Sequence, residues 1–281
     1  MDLKIATCRP LPEPDVDEDL LLAALRAAGV NAGMVAWRDA LSWSDATPTV
    51  IRSTWDYIHY PDEFMRWVHQ IGSHAPLWNS PQVVLGNLHK RYLLELAAHG
   101  VPVTPTVVLA RGSAIDLPTL GTHRGWHDIV LKPAIGAGSH ETHRVDPQTA
   151  EASRVAQRLI EAGDVLVQPY LPAVEGHGER ALVWIDGEFT HAVRKSPRFA
   201  GGSESVSAAL PIAAEERAVG AAALRVIQTD DLLYARVDVA PGADGGPVVM
   251  ELELVEPSLF LLQHPPALER LVAGIVHRLR A

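Results

Sequence analysis

Three carboxylates stand inside two apolar stretches late in this 281-residue chain. Asp238 interrupts Val237-Asp238-Val239, and Glu251 and Glu253 alternate with Met250, Leu252 and Leu254. A spacing of two sets Glu251 and Glu253 on the same face of an extended strand. If the two stretches pair as neighbouring strands, three acids converge there. Unpaired carboxylates in apolar surroundings are costly, so such a cluster calls for a hard divalent cation such as magnesium. The plain alternative is the exposed acidic face of an edge strand, which the apolar neighbours argue against. Whatever else it does, the chain must build a sheet here.

The patterning upstream gives the rest of the frame. Strand-like runs at Leu3–Cys8, Ala32–Trp37 and Thr49–Ser53 alternate with helical periodicity over Asp17–Ala28 and Pro61–Ile71. That order predicts an open parallel α/β lobe ending near the turn-rich Asn79-Ser80-Pro81. A helix over Leu88–His99 follows, then strands at Val103–Ala110, Ile129–Lys132 and Val165–Tyr170, with a helix over Ala150–Ala162. Asp186-Gly187 marks a tight hairpin between Arg180–Ile185 and Glu188–Arg194. Helices over Ala213–Ile227 and Pro266–Arg280 flank strands at Leu233–Ala240 and Val248–Leu254. The expectation is an α/β lobe over residues 1–86, then two α+β lobes over 87–170 and 171–281.

Bulk properties exclude several classes. A net charge of −10 argues against nucleic acid and anionic membrane as partners. The single cysteine, Cys8, rules out an intrachain disulfide and fits a cytoplasmic setting. There is no signal-like N-terminus and no apolar run of membrane-spanning length. The 13 histidines are scattered without zinc-ligand spacing. A homo-oligomer remains open.

Two further segments have chemical content. Lys132 leaves an apolar strand and runs into Gly136-Ala137-Gly138-Ser139. Glycines let backbone N–H groups approach phosphate oxygens, and lysine adds charge. The loop matches neither the GxxxxGK[ST] nor the GxGxxG pattern. Gln168-Pro169-Tyr170-Leu171 is a proline-stiffened strand end whose backbone could meet the edge of a purine base.

Taken in order, Lys90 on its expected helix, Lys132, the glycine loop, Gln168–Leu171 and the late acids resemble the ATP-grasp superfamily, specifically its glutathione-synthetase-like members. The resemblance spans roughly Lys90 to Ser258 and implies ATP held between two α+β lobes. By position it implies that Lys90 and Lys132 contact phosphate, Gln168–Leu171 hold adenine, and Glu175 and Glu179 lie near the ribose. It also implies that Asp238, Glu251 and Glu253 bind Mg2+, and that Arg236 steadies the transferred phosphate. Many members have asparagine where this chain has Glu253. The implied chemistry is activation of a carboxylate as an acyl phosphate, followed by attack of an amine-like nitrogen.

The substrate, expected to be small and amino-acid-like, should meet the carboxyl ends of the first-lobe strands. Arg52, Thr54, Trp55, Asp56 and Tyr57 follow such a strand and could hold a zwitterion. Arg194 and Lys195, leading through Pro197 and Arg198 to Gly201-Gly202-Ser203, form a basic cluster suited to an anion. The Arg52–Tyr57 segment and the Glu-Leu-Val-Glu-Pro-Ser run ending at Ser258 are similar to the D-cycloserine synthetase group. That resemblance implies cyclisation of O-ureido-D-serine to D-cycloserine. An intermolecular amino-acid or peptide ligase, or a non-catalytic nucleotide-binding protein, are the other expectations. Glu256 and His140 have no assigned role at this level.

Overall fold

The computed structural model describes residues 1–196, 205–227 and 232–281. Strands β1 (Leu3–Thr7), β2 (Ala32–Ala36), β3 (Thr49–Ser53) and β4 (Leu77–Trp78) form a parallel sheet in the order β2-β1-β3-β4. Helix α1 (Val16–Ala27) starts where the Asp15 side chain accepts from the Asp17 N–H. Helix α2 (Pro61–Gly72) opens on proline and buries Phe64, Trp67, Val68 and Ile71, the stripe its periodicity predicts. Trp67 meets Trp37 and Trp43 edge-on, at centroid separations of 5.9 and 5.1 Å.

The turn signal Asn79-Ser80-Pro81 follows the last strand of this sheet and begins a helix. Ser80 caps α3 (Pro81–Leu88) by accepting from the Val83 N–H, and Pro81 takes a first-turn position. Helix α4 (Tyr92–Ala98) follows, so the helix expected over 88–99 is interrupted at 89–91. No glycine or proline marks this break. It arises where the Lys90 N–H donates to Ala134 O at 2.8 Å. The boundary expected after residue 86 falls inside α3. Val83 of α3 and Leu93 and Leu96 of α4 share a core with Val237 and Leu252, far along the chain.

A second sheet comes from β5 (Val107–Leu109), β6 (Ile129–Pro133), β7 (His143–Val145) and β8 (Val165–Pro169), antiparallel in the order β5-β8-β6-β7. Helices α5 (Leu117–Arg124) and α6 (Ala150–Ala162) cover it. The strand expected over 103–110 shrinks to β5. Pro102 and Pro105 offer no N–H to a ladder, and Val103 is left with a single bridge to Val249. Helix α5 and strands β4 and β7 escaped the sequence patterning.

The third sheet follows a short helix, α7 (Ala173–Gly176). It contains β9 (Glu179–Ile185), β10 (Glu188–Lys195), β11 (Tyr234–Pro241) and β12 (Pro247–Glu253), antiparallel in the order β10-β9-β11-β12. Helices α8 (Ala214–Val226) and α9 (Pro265–Arg280) pack on it. Asp186 and Gly187 both take positive φ, 44° and 95°, at the hairpin turn.

The first and third sheets share one core, in which Leu3, Ile5 and Val50 join Val183, Tyr234, Leu271 and Ile275. Two buried asparagines splint this union. Asn79 donates to Tyr234 O and Leu254 O and accepts from the Leu233 N–H. Asn87 donates to Leu252 O and accepts from the Leu254 N–H. The second sheet instead packs Ile129, Leu131, Val165 and Val167 against its own helices. The architecture is an open parallel α/β lobe followed by two antiparallel α+β lobes. Among the described residues, no helix is long and apolar enough to cross a membrane.

Candidate active site

A cleft of about 730 Å³ is lined by loops of the first lobe and by the second and third sheets. Its floor is the β11–β12 pair. Asp238 lies opposite Glu251 and Arg236 opposite Glu253, so three acids and one arginine share a face. They do not form the cage that three converging acids suggested. Among the described residues, no three candidate ligands are grouped closely enough to hold a metal ion. Basic side chains are interleaved with them instead. Arg236 donates to both Asp238 oxygens, at 2.8 and 2.9 Å, and to Glu253. Lys195 reaches Asp238 at 2.7 Å and Glu179 at 2.5 Å.

Both lysines expected at phosphate face this floor. Lys132, on β6, lies 3.8 Å from Glu251. Lys90 comes from the break between α3 and α4, not from a helix. It donates to Gly136 O at 2.6 Å and to Glu251 at 2.5 Å. The broken helix thus ties one lysine to the glycine loop and the acidic floor together. Burial works against ionisation of Glu251, but Lys90 and Lys132 beside it hold the carboxyl down to about 2. Burial also opposes the Lys90 charge, and Glu251 more than restores it. Burial pulls Lys132 below the usual lysine range.

The glycine loop lines the cleft through Gly136, Ala137, Gly138 and Ser139, with Gly138 and Ser139 at positive φ. At the other end of the sheet, Gln168, Pro169, Tyr170 and Leu171 line the cleft as expected. Gln168 donates to the Thr106 hydroxyl at 2.9 Å, and the Tyr170 N–H donates to Asp128 O. Glu179 lines the cleft but Glu175 does not. Glu175 turns outward to Arg144, at 2.6 Å, while the Arg144 guanidinium lies 3.6 Å from the Tyr170 ring centre.

The residues expected at substrate divide. Trp55, Asp56, Lys195 and Ser258 line the cleft, whereas Arg52, Thr54, Tyr57 and Arg194 do not. Arg194 is exposed because neighbours on a strand point to opposite faces, and Lys195 takes the inner one. Pro197, Arg198 and the Gly201-Gly202-Ser203 run lie outside the described residues. Thr54 is fully buried, and its hydroxyl has no partner among the described residues. Tyr57 stacks on Phe64 and borders a smaller pocket beside Glu256.

Arg52 has a different employment. It donates to Pro257 O at 2.9 Å, next to two similar contacts. Trp55 Nε1 donates to Glu256 O at 3.3 Å, and Arg236 Nη1 donates to Ser258 O at 3.3 Å. The Tyr234 hydroxyl lies 2.9 Å from Val255 O and 2.6 Å from Ile51 O, so its one proton serves both. Side chains therefore hold four successive carbonyls, from Val255 to Ser258. The segment that leads out of β12 is fixed from the side of β3 and β11.

Other cleft residues carried no signal in the sequence, or were named there without a role. Thr104 is 2 % exposed, and its hydroxyl has no partner among the described residues. Arg9 follows β1 and is held by Glu18 at 2.9 Å and Thr7 at 2.8 Å. Its place beyond a strand's carboxyl end is the clue that could have found it. His59 of the first lobe meets His140 of the glycine loop edge-on, 5.1 Å between centroids. Glu256, also on the cleft, is pushed up to about 7 by burial.

Comparison with known proteins agrees with this arrangement. Residues 3–79 match the family model of the D-cycloserine synthetase DcsG N-terminal domain. The cycloserine biosynthesis protein DcsG of Streptomyces lavendulae is 35% identical over 283 residues, covering 95% of each chain. The crystal structure of D-cycloserine synthetase DcsG superposes with a TM-score of 0.91 at 35% identity over 99% of each chain. The ATP-grasp ligase PsnB, complexed with minimal precursor, Mg and ADP, superposes with a TM-score of 0.63 at 17% identity over 97% of each chain. Lysines, glycine loop and acid-bearing sheet thus sit in an ATP-grasp frame, and the chain belongs to the D-cycloserine synthetase family of ATP-dependent carboxylate–amine ligases.

Proposed function

We propose that this enzyme uses ATP and magnesium to convert the carboxylate of a small amino-acid-like substrate into an acyl phosphate. A nitrogen of the same molecule then closes a ring. The observation that carries this reading is the cleft floor, where Lys90, Lys132, Lys195 and Arg236 are interleaved with Asp238, Glu251 and Glu253. These cations are positioned to meet phosphate oxygens, and the acids are positioned to take up a divalent cation in exchange.

Magnesium fits the donor set. It binds through one or two carboxylates together with nucleotide phosphates and needs no all-protein cage. Asp238, Glu251 and Glu253 supply hard oxygens of that kind. When bound, the ion would neutralise charge on the transferred phosphoryl group. The chain's own residues do the remainder. Lys90 and Lys132 draw phosphate to the glycine loop, Gln168–Leu171 receive the base, and Arg236 faces the transferred group. The second sheet, with its separate core, acts as the lid over the nucleotide. Trp55, Asp56 and Arg9 border the end left for the substrate.

Likeness to D-cycloserine synthetase supports O-ureido-D-serine as the first substrate to try. Attack by its ureido nitrogen on the acyl phosphate forms the ring and releases orthophosphate. Hydrolytic loss of the carbamoyl group then leaves D-cycloserine. The test is incubation with O-ureido-D-serine, ATP and magnesium, following ADP and D-cycloserine by mass spectrometry. ADP release with other amino acids, but not with this one, would replace cyclisation by intermolecular ligation. If Asp238→Asn and Glu251→Gln both kept full magnesium-dependent turnover, the metal assignment would be wrong.

A further inference from the structure

Among the acids that reach the cleft from the third sheet and the segment after it, Glu256 stands apart. Glu179 pairs with Lys195, Asp238 with Arg236 and Lys195, Glu251 with Lys90, and Glu253 with Arg236. Among the described residues, no ion pair reaches Glu256, although it is only 5 % exposed and lines the cleft. A buried carboxylate without a close cation is costly, and proteins keep such groups where the cost has a use. Lys90 and Arg236 stabilise its charge only from a distance, while Glu251 opposes it. The Tyr57 hydroxyl is its near polar neighbour.

Its backbone is held with unusual care. The carbonyls of Val255, Glu256, Pro257 and Ser258 are held by Tyr234, Trp55, Arg52 and Arg236. This fixes where the Glu256 side chain starts without occupying its carboxylate. A group that is placed, buried and left without a counter-ion suits proton transfer better than metal binding or charge pairing.

We propose that Glu256 is the catalytic base that takes the proton from the attacking nitrogen. The inference rests on the acyl-phosphate reading above. In the step, the nitrogen lone pair forms the C–N bond and the C–O bond to phosphate breaks. Orthophosphate leaves with that electron pair, and the N–H proton passes to the Glu256 carboxylate. A ureido nitrogen, flanked by oxygen and a carbonyl, is weakly nucleophilic until it loses its proton. A base whose burial raises it to about 7 is matched to that task near neutral pH.

The two halves of the reaction separate the base from the rest of the site. Hydroxylamine is uncharged near neutrality and captures acyl phosphates as hydroxamates without help from a base. In Glu256→Gln, formation of cyclised product should fall about 100-fold or more. Hydroxamate formation should fall by no more than about threefold. Equal loss of both, in a variant that melts like the parent, would show that Glu256 acts before the acyl phosphate and would overturn the proposal. Retention of both would overturn it equally. If the glutamine variant does not fold, Glu256→Asp is read by the same two assays, with the loss again confined to product. A wild-type enzyme that yields no hydroxamate refutes the acyl-phosphate reading itself, and this inference with it.

Discussion

Arg52 sits in β3 and Arg236 in β11, and they are 3 % and 6 % exposed. Each lies near an aromatic ring, Tyr234 for one and Phe260 for the other. Their partners differ in kind. Arg236 faces two carboxylates, whereas Arg52 donates to the neutral carbonyl of Pro257. Removing the Arg236 charge leaves Asp238 with Lys195 alone and takes from Glu253 its ion-pair partner. An entering phosphate can also compete for it. The Arg52 charge is committed to the backbone and has no place on the cleft wall. Burial and charge therefore do not identify a ligand-binding arginine. What separates the two is whether the partner can be exchanged.

The largest expected effect breaks the comparison on the Arg236 side. Arg236→Lys keeps a charge opposite Asp238 but loses the fork that reaches Glu253 as well. If Arg236 faces the transferred phosphoryl group as proposed, ADP formation at saturating substrate should fall about 1,000-fold. A variant retaining half of wild-type turnover would make Arg236 a structural residue like Arg52. Next in size is Lys195→Met, for which a loss of about 100-fold is expected. Here the KM for ATP should rise together with the fall in kcat.

Arg52→Met tests the other side. Loss of a charged hydrogen bond to a buried carbonyl should lower unfolding stability by about 2 kcal/mol in urea titrations. Turnover should fall by about tenfold, because the segment bearing Glu256 and Ser258 loses one of its four carbonyl contacts. Since Arg52 acts through that segment, hydroxamate trapping should suffer less than product formation. A loss as deep as that of Arg236→Lys, with stability unchanged, would place Arg52 at the substrate.

The same contrast explains what was legible in the sequence. Asp238, Glu251 and Glu253 could be read because acids alternating with apolar residues announce both a strand and a face. Lys132 could be read because it continues such a strand into glycine. Lys90 was legible only through the order of features, and its local structure was misread. Nothing in Leu88–His99 signals a break, which depends on Ala134 and Gly136, more than 40 residues away. The Arg52–Tyr57 segment announced polarity but not its target. Its contacts with Pro257 and Glu256 span 205 and 201 residues of sequence separation. Glu256 could be named in the sequence but given no role for the same reason, since its want of an ion pair among the described residues is a property of the packed neighbourhood.

The smallest effects sharpen the contrast at single-residue resolution. Arg194 and Lys195 are adjacent cations, one exposed and one 8 % exposed against Asp238 and Glu179. Arg194→Ala should change kcat and the KM for ATP by less than about twofold, as expected for a solvated side chain away from the site. Glu175→Ala belongs with it: the acid that resemblance placed near the ribose is 58 % exposed as a side chain and bound to Arg144. Its loss should leave the KM for ATP within about threefold, because an exposed ion pair contributes little. A tenfold rise in that KM for Glu175→Ala, with Arg194→Ala silent, would show that the Arg144 pair opens when nucleotide binds. Exchange of partners, the property proposed for Arg236, would then extend to the rim of the cleft.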